Sequence, residues 1–252
     1  MIKSVNIIGA GNVATHLAKN LMGKVQIKSI YSKSLKNACE LSIIVDAKGV
    51  DSIDKIDQSV DLNIVALKDD VIATFTKQFP AHIPIVHTSG SVNMDVLQSF
   101  MHYGILYPLQ SFTKYLNIEL NGVPFLIEAN TNEFETQLIN FCQENLSNQT
   151  FLADSYKRSQ IHLAAVVSNN FITYLLSQSA LILKNNDLEL DILKPLLIET
   201  LKKSFEIGPK KAQTGPAKRG DALVVANHIK QIKNPKLKEV YRLISELISE
   251  QN

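Results

Sequence analysis

Apolar and polar positions change rhythm partway along the chain. Over the first half, short β-type runs at 4–8, 25–31, 62–67, 85–88, 104–107 and 125–129 alternate with stretches in which apolar residues recur at helical spacing. Parallel strands require crossover connections, so this alternation predicts an α/β domain, a Rossmann-type doubly wound parallel sheet with helices on both faces. Around Asp154 the pattern becomes all-helical. Residues 154–183 contain neither glycine nor proline and carry apolar residues on nearly every side, which predicts a helix buried at the centre of a helical domain. A second helix is expected over about 191–207, stopped by Gly208-Pro209, and a shorter one over 222–229 with Asp221 as N-cap. The last begins at Asn234-Pro235, an N-cap followed by proline at the first helical position, and sets Val240, Leu243, Ile244, Leu247 and Ile248 on one stripe. The boundary falls near residue 153, giving a sheet domain over 1–153 and an all-α domain over 154–252.

A chain of 252 residues, 45% of them hydrophobic, has ample material for such a core, which sets disorder aside. The net charge of +2 argues against the dense basic footprint of a protein built to neutralise nucleic-acid phosphates. Charge is uneven, however: residues 202–238 hold ten Lys or Arg against Glu206 and Asp221, a net of +8. That stretch is either a solvated basic face or a cationic wall for a phosphate or carboxylate ligand. Cys39 and Cys142 are far apart and show no metal-ligand spacing, so neither a disulfide framework nor a zinc site is expected, and a reducing compartment fits best. No window reaches the ~18 uninterrupted apolar residues of a membrane span. The expectation is a soluble, cytoplasmic protein with neither a membrane nor a nucleic-acid partner.

The run Gly9-Ala10-Gly11-Asn12-Val13-Ala14 has the form GxGxxA and stands directly between an apolar strand and the helical pattern at 13–21. In that context the first glycine permits a tight turn, the second lets the backbone approach a pyrophosphate, and Ala14 allows helix and sheet to pack closely. Gly9, Gly11, Asn12 and Val13 are therefore candidate nucleotide-binding residues, with free N–H groups aimed at the anion. The second strand ends in Tyr31-Ser32-Lys33-Ser34, hydroxyls and a cation where an NAD-selective site carries a carboxylate. This favours NADP(H), with Ser32 and Ser34 donating to the 2′-phosphate and Lys33 supplying countercharge, unless Lys33 is an ordinary solvated lysine at a helix start.

Ligands of open α/β sheets lie at the carboxyl ends of the strands, so the later strand ends should surround the nicotinamide. Leu67-Lys68-Asp69-Asp70 follows the fourth strand; Leu67 is assigned to the cofactor, and Asp69 or Asp70 to a helix N-cap rather than a catalytic acid. After the fifth, His87-Thr88-Ser89-Gly90-Ser91 offers His87 to a substrate. Ser89-Gly90 is either a hydroxyl and N–H for a carbonyl or carboxylate, or a simple turn. Tyr107-Pro108-Leu109-Gln110-Ser111-Phe112 follows the sixth. In the long helix, His162 and Asn169 lie seven residues apart, two turns, and so share a face, with Asn170 and Tyr174 near it. Burying such groups unpaired costs roughly 1–3 kcal/mol each, so they need partners. His162 is either a hydrogen-bonded core histidine or the group that gives a proton to a reduced carbonyl or imine; Asn169 and Asn170 would orient substrate or nicotinamide. In the turn Thr214-Gly215-Pro216-Ala217-Lys218-Arg219-Gly220-Asp221, Arg219 either clamps an anionic substrate or pairs with Asp221.

Taken together, GAGNVA at 9–14, HTSGS at 87–91, YPLQSF at 107–112, His162 with Ser168-Asn169-Asn170, and TGPAKRGD at 214–221 resemble the Rossmann-like NADP oxidoreductases that carry a carboxyl-terminal domain of unknown function. That family is related to deazaflavin-dependent NADP oxidoreductase, pyrroline-5-carboxylate reductase and 6-phosphogluconate dehydrogenase. The resemblance covers the whole chain, and TGPAKRGD is its most family-specific part. It implies a Rossmann domain, a helical domain that commonly mediates dimerisation, and an NADP-linked redox activity. In one respect the chain departs from the pattern. The hydroxyacid-dehydrogenase relatives carry a lysine four residues before an asparagine on the equivalent helix, whereas Ala165 and Val166 stand four before Asn169 and Asn170. Either His162 replaces that acid, or the chemistry differs, or hydride transfer has been lost. The leading expectation is an NADP(H)-dependent oxidoreductase acting on a small anionic carbonyl or imine substrate between the domains, forming a homodimer through the helical one. The alternative is a non-catalytic NADP(H)-binding sensor or assembly protein.

Overall fold

The computed structural model describes residues 1–251. They form two compact units, Met1–Val167 and Ser168–Asn252. Among the described residues, the first unit carries an eight-stranded sheet: β1 (Ser4–Ile8), β2 (Gln26–Tyr31), β3 (Lys48–Val50), β4 (Leu62–Val65), β5 (Ile85–His87), β6 (Tyr103–Pro108), β7 (Phe125–Ala129) and β8 (Thr150–Leu152). The strand order is β3-β2-β1-β4-β5-β6-β7-β8. Strands β1 to β6 are parallel, and the order reverses between β1 and β4, the switch point at which such sheets open a crevice for a ligand. Strand β7 runs antiparallel to β6, and β8 pairs parallel with β7, so the expected parallel sheet carries one reversed pairing near its edge. Strands β3 and β8, three residues each at the two edges, were not foreseen: unlike the equally short but wholly buried β5, each carries exposed residues and no continuous buried apolar run.

Helices α1 (Asn12–Leu21), α2 (Leu35–Ile44), α3 (Asp69–Thr76), α4 (Asn132–Asn145) and α5 (Ser155–Ala165) complete this unit. Successive strand residues point to opposite faces, so a strand covered on both sides is apolar without alternation. In β1, Ile7 packs into a core with Leu17 of α1 and Phe134 of α4, while its neighbour Ile8 enters a second core with Ile72 and Phe75 of α3. Ile64 and Val65 divide in the same way on β4. The helix starts are chemically specified: Ser34, Thr131 and Asp154 each cap a helix by accepting a backbone N–H. Helix α5 groups with the sheet because Arg158 ties it there, which places the division of the chain at 167/168 where the sequence pattern put it at 153/154.

A π turn, Val166–Asn170, leads into α6 (Phe171–Lys184). The second unit continues with α7 (Lys194–Ile207), the short α8 (Pro209–Ala212) and α9 (Pro216–Arg219), then α10 (Ala222–Gln231) and α11 (Pro235–Ser249). Asn234 caps α11, with Pro235 at its first position, as the sequence predicts. The long helix departs from expectation in two ways. A π turn over Val166–Asn170 interrupts the α period, so the seven residues from His162 to Asn169 are not two regular α turns. The helix is also not buried: Phe171, Ile172, Tyr174, Leu181 and Ile182 are all exposed. By length and composition alone, Ser155–Lys184 is apolar enough to cross a membrane. Among the described residues, Ala212 and Ala217 are the only buried ones in the second unit.

Candidate functional site

The turn after β1 closes against two other strand ends. Gly9 N–H donates to the Tyr31 carbonyl at 2.8 Å, and Ala66 N–H donates to the Ile8 carbonyl at 2.8 Å. Gly9 has φ +137°, and a Cβ there would stand 2.3 Å from the Ala66 carbonyl oxygen, so both conformation and space demand glycine. Gly11, the N-cap of α1, differs: its φ is ordinary, and nothing lies within 4 Å of where a Cβ would project. No side chain caps α1 and no acidic residue occupies its first turn. The N–H groups that open a helix have no intrahelical partner, and here at Asn12 and Val13 they face no competing side chain, the arrangement that suits an anion. Open space at Gly11 and an uncapped helix start thus fit the pyrophosphate of a dinucleotide.

At the end of β2, Ser32 accepts a hydrogen bond from Ser34 N–H at 3.2 Å, and Ser34 caps α2 by accepting from Asn37 N–H at 3.4 Å. In both contacts the hydroxyl acts as acceptor, so its own proton stays available for a further partner. Lys33 between them is exposed. Past β4, Leu67 is half-buried, while Lys68 rather than Asp69 or Asp70 is the N-cap of α3; the two aspartates fill its first turn instead, where the helix dipole favours them. The Ser91 hydroxyl donates to Asp69 Oδ2, drawing the loops after β4 and β5 together.

The segment after β5 forms a turn. Ser89 Oγ accepts from Ser91 N–H at 3.1 Å and from Val92 N–H at 3.0 Å, so the turn alternative is realised in the backbone. His87 is fully buried beneath it, with Nδ1 accepting from Ser89 N–H at 3.2 Å. Burial foremost, then the neighbouring Arg158 charge, pushes its pKa down to about 4. His87 is therefore a neutral support of the turn and presents no surface to a substrate.

Above this turn sits a pair that the sequence reading did not join. The Tyr107 hydroxyl and His162 Nδ1 lie 2.9 Å apart, with the rings edge to face at 76°. A Cβ on Gly90 would stand 2.6 Å from His162 Nδ1 and 2.8 Å from Tyr107 Cζ. Burial raises the Tyr107 pKa above its usual value, and although Arg158 opposes the shift and Asp69 adds to it, the phenol stays protonated. The position of α5 is set one turn earlier by Arg158, whose side chain is fully buried between Glu128, the Val92 carbonyl and Ser155 Oγ. Arg158 and Glu128 were missed because a charged residue within a helical run reads as surface until its strand partner is known.

The remaining candidates belong to the second unit or its entry. Asn169 and Asn170 are exposed in the π turn, with Asn169 Nδ2 donating to Asn170 Oδ1 at 3.1 Å. Arg219 pairs with Asp221 through Nε at 3.0 Å and Nη2 at 2.8 Å, the second of its two expected roles, while Asp221 occupies the N-cap of α10 without a side-chain cap bond. Cys39 and Cys142 are free thiols, and burial pushes that of Cys142 up to about 12. Among the described residues, no group of three or more His, Cys, Asp or Glu side chains is placed to hold a metal ion.

The fold and the glycine turn define a dinucleotide-binding type of α/β unit followed by a helical unit. Residues 123–248 match the family described as "Domain of unknown function (DUF2520)". A crystal structure of a "putative NADP oxidoreductase" from Bacteroides fragilis is 36% identical, with a TM-score of 0.92 over 99% of this chain and 98% of that one. The chain belongs to this family, the one its motifs resemble. The fold extends to 1-pyrroline-5-carboxylate reductase from Streptococcus pyogenes, at 14% identity and TM-score 0.63 over 98% of both chains. It extends likewise to an imine reductase from Myxococcus stipitatus in complex with NADP+, at 11% identity and TM-score 0.67 over 98% of this chain and 92% of that one. No curated protein matches.

Proposed function

We propose that the protein is an NADP(H)-dependent oxidoreductase that transfers a hydride to or from a small anionic carbonyl or imine compound. The observation that carries this reading is the turn at 9–13, in which Gly11 leaves open space over an uncapped helix start at the switch point of the sheet. The 36% identical Bacteroides fragilis protein, described as a "putative NADP oxidoreductase", supports it. When bound, the reduced nicotinamide supplies the hydride. Gly9, Gly11, Asn12 and Val13 would hold its pyrophosphate, Leu67 would line its path, and Ser32, Lys33 and Ser34 would hold the 2′-phosphate through two hydroxyl donors and a cation. His162 supplies the proton that a reduced carbonyl or imine needs, and Ser89, Asn169, Asn170 and Arg219 are candidates for orienting the substrate.

The same reading includes a homodimer formed through the helical unit in a reducing, cytoplasmic setting. A unit in which, among the described residues, only two alanines are buried has too little core of its own, and a second copy covering its exposed apolar residues would supply one. A non-catalytic NADP(H)-binding sensor is the second reading, favoured by Ala165 and Val166 at the positions where dehydrogenase relatives carry an acid.

A thermal-shift titration with NADPH and NADH tests the cofactor. Ligand at one hundred times Kd adds about 2.7 kcal/mol, and each kcal/mol moves Tm by roughly 2–4 °C at this size, so NADPH should raise Tm by several degrees and NADH by less. No shift with either nucleotide overturns the reading. NADPH oxidation against a panel of keto and imino acids then separates enzyme from sensor.

A further inference from the structure

We infer that Tyr107 is the positioning residue of His162: its phenol occupies Nδ1 and leaves Nε2 as the nitrogen that exchanges a proton with a ligand. The inference rests on the proposed oxidoreductase reading for what His162 does, but the pairing itself is a property of the free protein.

Three observations carry it. The 2.9 Å separation and edge-to-face rings give Tyr107 and His162 hydrogen-bond geometry, and among the described residues Nε2 of His162 makes no hydrogen bond. Gly90 is packed so closely that a methyl group there would meet both rings, so the backbone after β5 holds the pair in place from a third side. Arg158, four residues before His162 on α5, is locked by Glu128 and Val92, so the helix itself is fixed where the imidazole leaves it.

The chemistry follows from what a phenol can do. With neutral imidazole, the better donor is the Tyr107 O–H and the better acceptor is the bare ring nitrogen, so Nδ1 accepts and the proton of His162 sits on Nε2. With imidazolium, Nδ1–H donates to the same phenol oxygen, so the contact survives a change of charge. A bound reduced nicotinamide would supply the hydride, two electrons together with one proton, to the carbon, so that the electron pair of the C=O or C=N bond would pass to the heteroatom. The Nε2–H bond of the imidazolium breaks, a new O–H or N–H bond forms, and the neutral imidazole is left with Nδ1–H on the Tyr107 oxygen until proton exchange with solvent at Nε2 and Nδ1 restores the resting Nε2–H tautomer. Tyr107 keeps its own proton throughout, as its raised pKa requires, and is not the source of the transferred one.

Nitrogen-15 NMR of the full chain without nucleotide tests this at a pH chosen so that the His162 nitrogens show the neutral-ring pattern and the phenol keeps its proton. The His162 signals are assigned by their loss in His162→Leu. In the wild type, His162 should show one dominant tautomer, protonated on Nε2; Tyr107→Phe should return it toward the mixture of a free imidazole, and Tyr107→3-fluorotyrosine, which keeps the hydroxyl, should not. Should Tyr107→Phe fail to fold, the fluorine resonance of the fluorotyrosine protein gives the same answer, because it should move when His162→Leu removes the acceptor. A His162 pattern indifferent to loss of the hydroxyl, or a fluorine shift indifferent to loss of the imidazole, overturns the inference. No nucleotide is present, so failure here leaves the cofactor reading standing, and failure to bind NADPH leaves the pair standing.

Discussion

Arg158 donates through Nη1 to Glu128 Oε2, with the guanidinium fully buried, while Nη2 reaches the Val92 carbonyl and Ser155 Oγ. One side chain thus joins α5 to β7 and to the loop after β5. Removing one partner of a buried ion pair costs about 3–5 kcal/mol because the other charge is left uncompensated. Glu128→Ala should therefore lower Tm by about 10 °C in thermal denaturation. Pairing Glu128→Leu with Arg158→Met should recover most of that loss, since apolar replacement of both charges is often neutral. A single variant as stable as the wild type would show that the pair does not hold α5.

His87 gives the protein a pH signature. Its folded pKa is depressed to about 4 while the unfolded chain titrates near 6.5, so between those values the unfolded state binds the extra proton. Its contribution is complete above about pH 6.5 and is lost as pH falls toward 4, a total of about 3 kcal/mol. Denaturant midpoints of the wild type and His87→Gln, compared at several values across this window, should differ in slope, with the variant flatter. Parallel curves would mean that His87 is not buried in its neutral form.

Gly90→Ala should be costly although alanine is a small residue. The added methyl would stand 2.6 Å from His162 Nδ1 and 2.7 Å from its Cγ, and both rings it meets are anchored. Overpacking of this kind costs about 1–3 kcal/mol, a fall in Tm of several degrees. Gly11→Ala, with nothing within 4 Å of its Cβ, should leave Tm almost unchanged and weaken NADPH binding instead. If the two variants behave alike in both measurements, the glycines do not have the separate roles assigned to them.

What the sequence revealed and what it hid have physical causes. Strands covered on both faces, such as β1 and β4, are legible because most of their residues are apolar, Asn6 and Asn63 being a buried pair that bond each other, and the glycine turn is legible because its residues are contiguous. The edge strands β3 and β8 are as short as β5 but are partly exposed, so they lack the continuous buried apolar run that marks it. The Tyr107–His162 contact spans 55 residues and the Arg158–Glu128 pair 30, and no local rule connects such positions. His162 stood out as a polar group in an apolar helix, but its partner waited on the sheet order. The π turn between His162 and Asn169 is also invisible to a pattern that assumes an α period.

Lys33 should decide between the two dinucleotides. It is exposed at the end of β2 between Ser32 and Ser34, the position where a carboxylate would repel a 2′-phosphate. Lys33→Glu should reduce NADPH affinity at least tenfold, about 1.4 kcal/mol, and leave NADH affinity within a factor of about three. Fluorescence titration with each nucleotide gives the ratio. Equal losses for both would place Lys33 near the shared part of the cofactor, and no loss would return it to the solvated surface.

The helical unit should be stable only as part of a dimer. Helix α11 exposes Leu243, Ile244 and Leu247 on one stripe, and α6 exposes Leu181 and Ile182, so large apolar residues on both helices lie open in a single chain. Light scattering at micromolar concentration should return about twice the chain mass of 28.0 kDa. Leu243→Glu would put a charge into the surface proposed to be covered, where an unpaired buried carboxylate is strongly disfavoured. It should shift the population toward monomer and lower Tm at a given protein concentration. A wild type that scatters as a monomer removes the helical unit from the assembly role assigned to it. An unchanged dimer in Leu243→Glu moves the interface off this stripe.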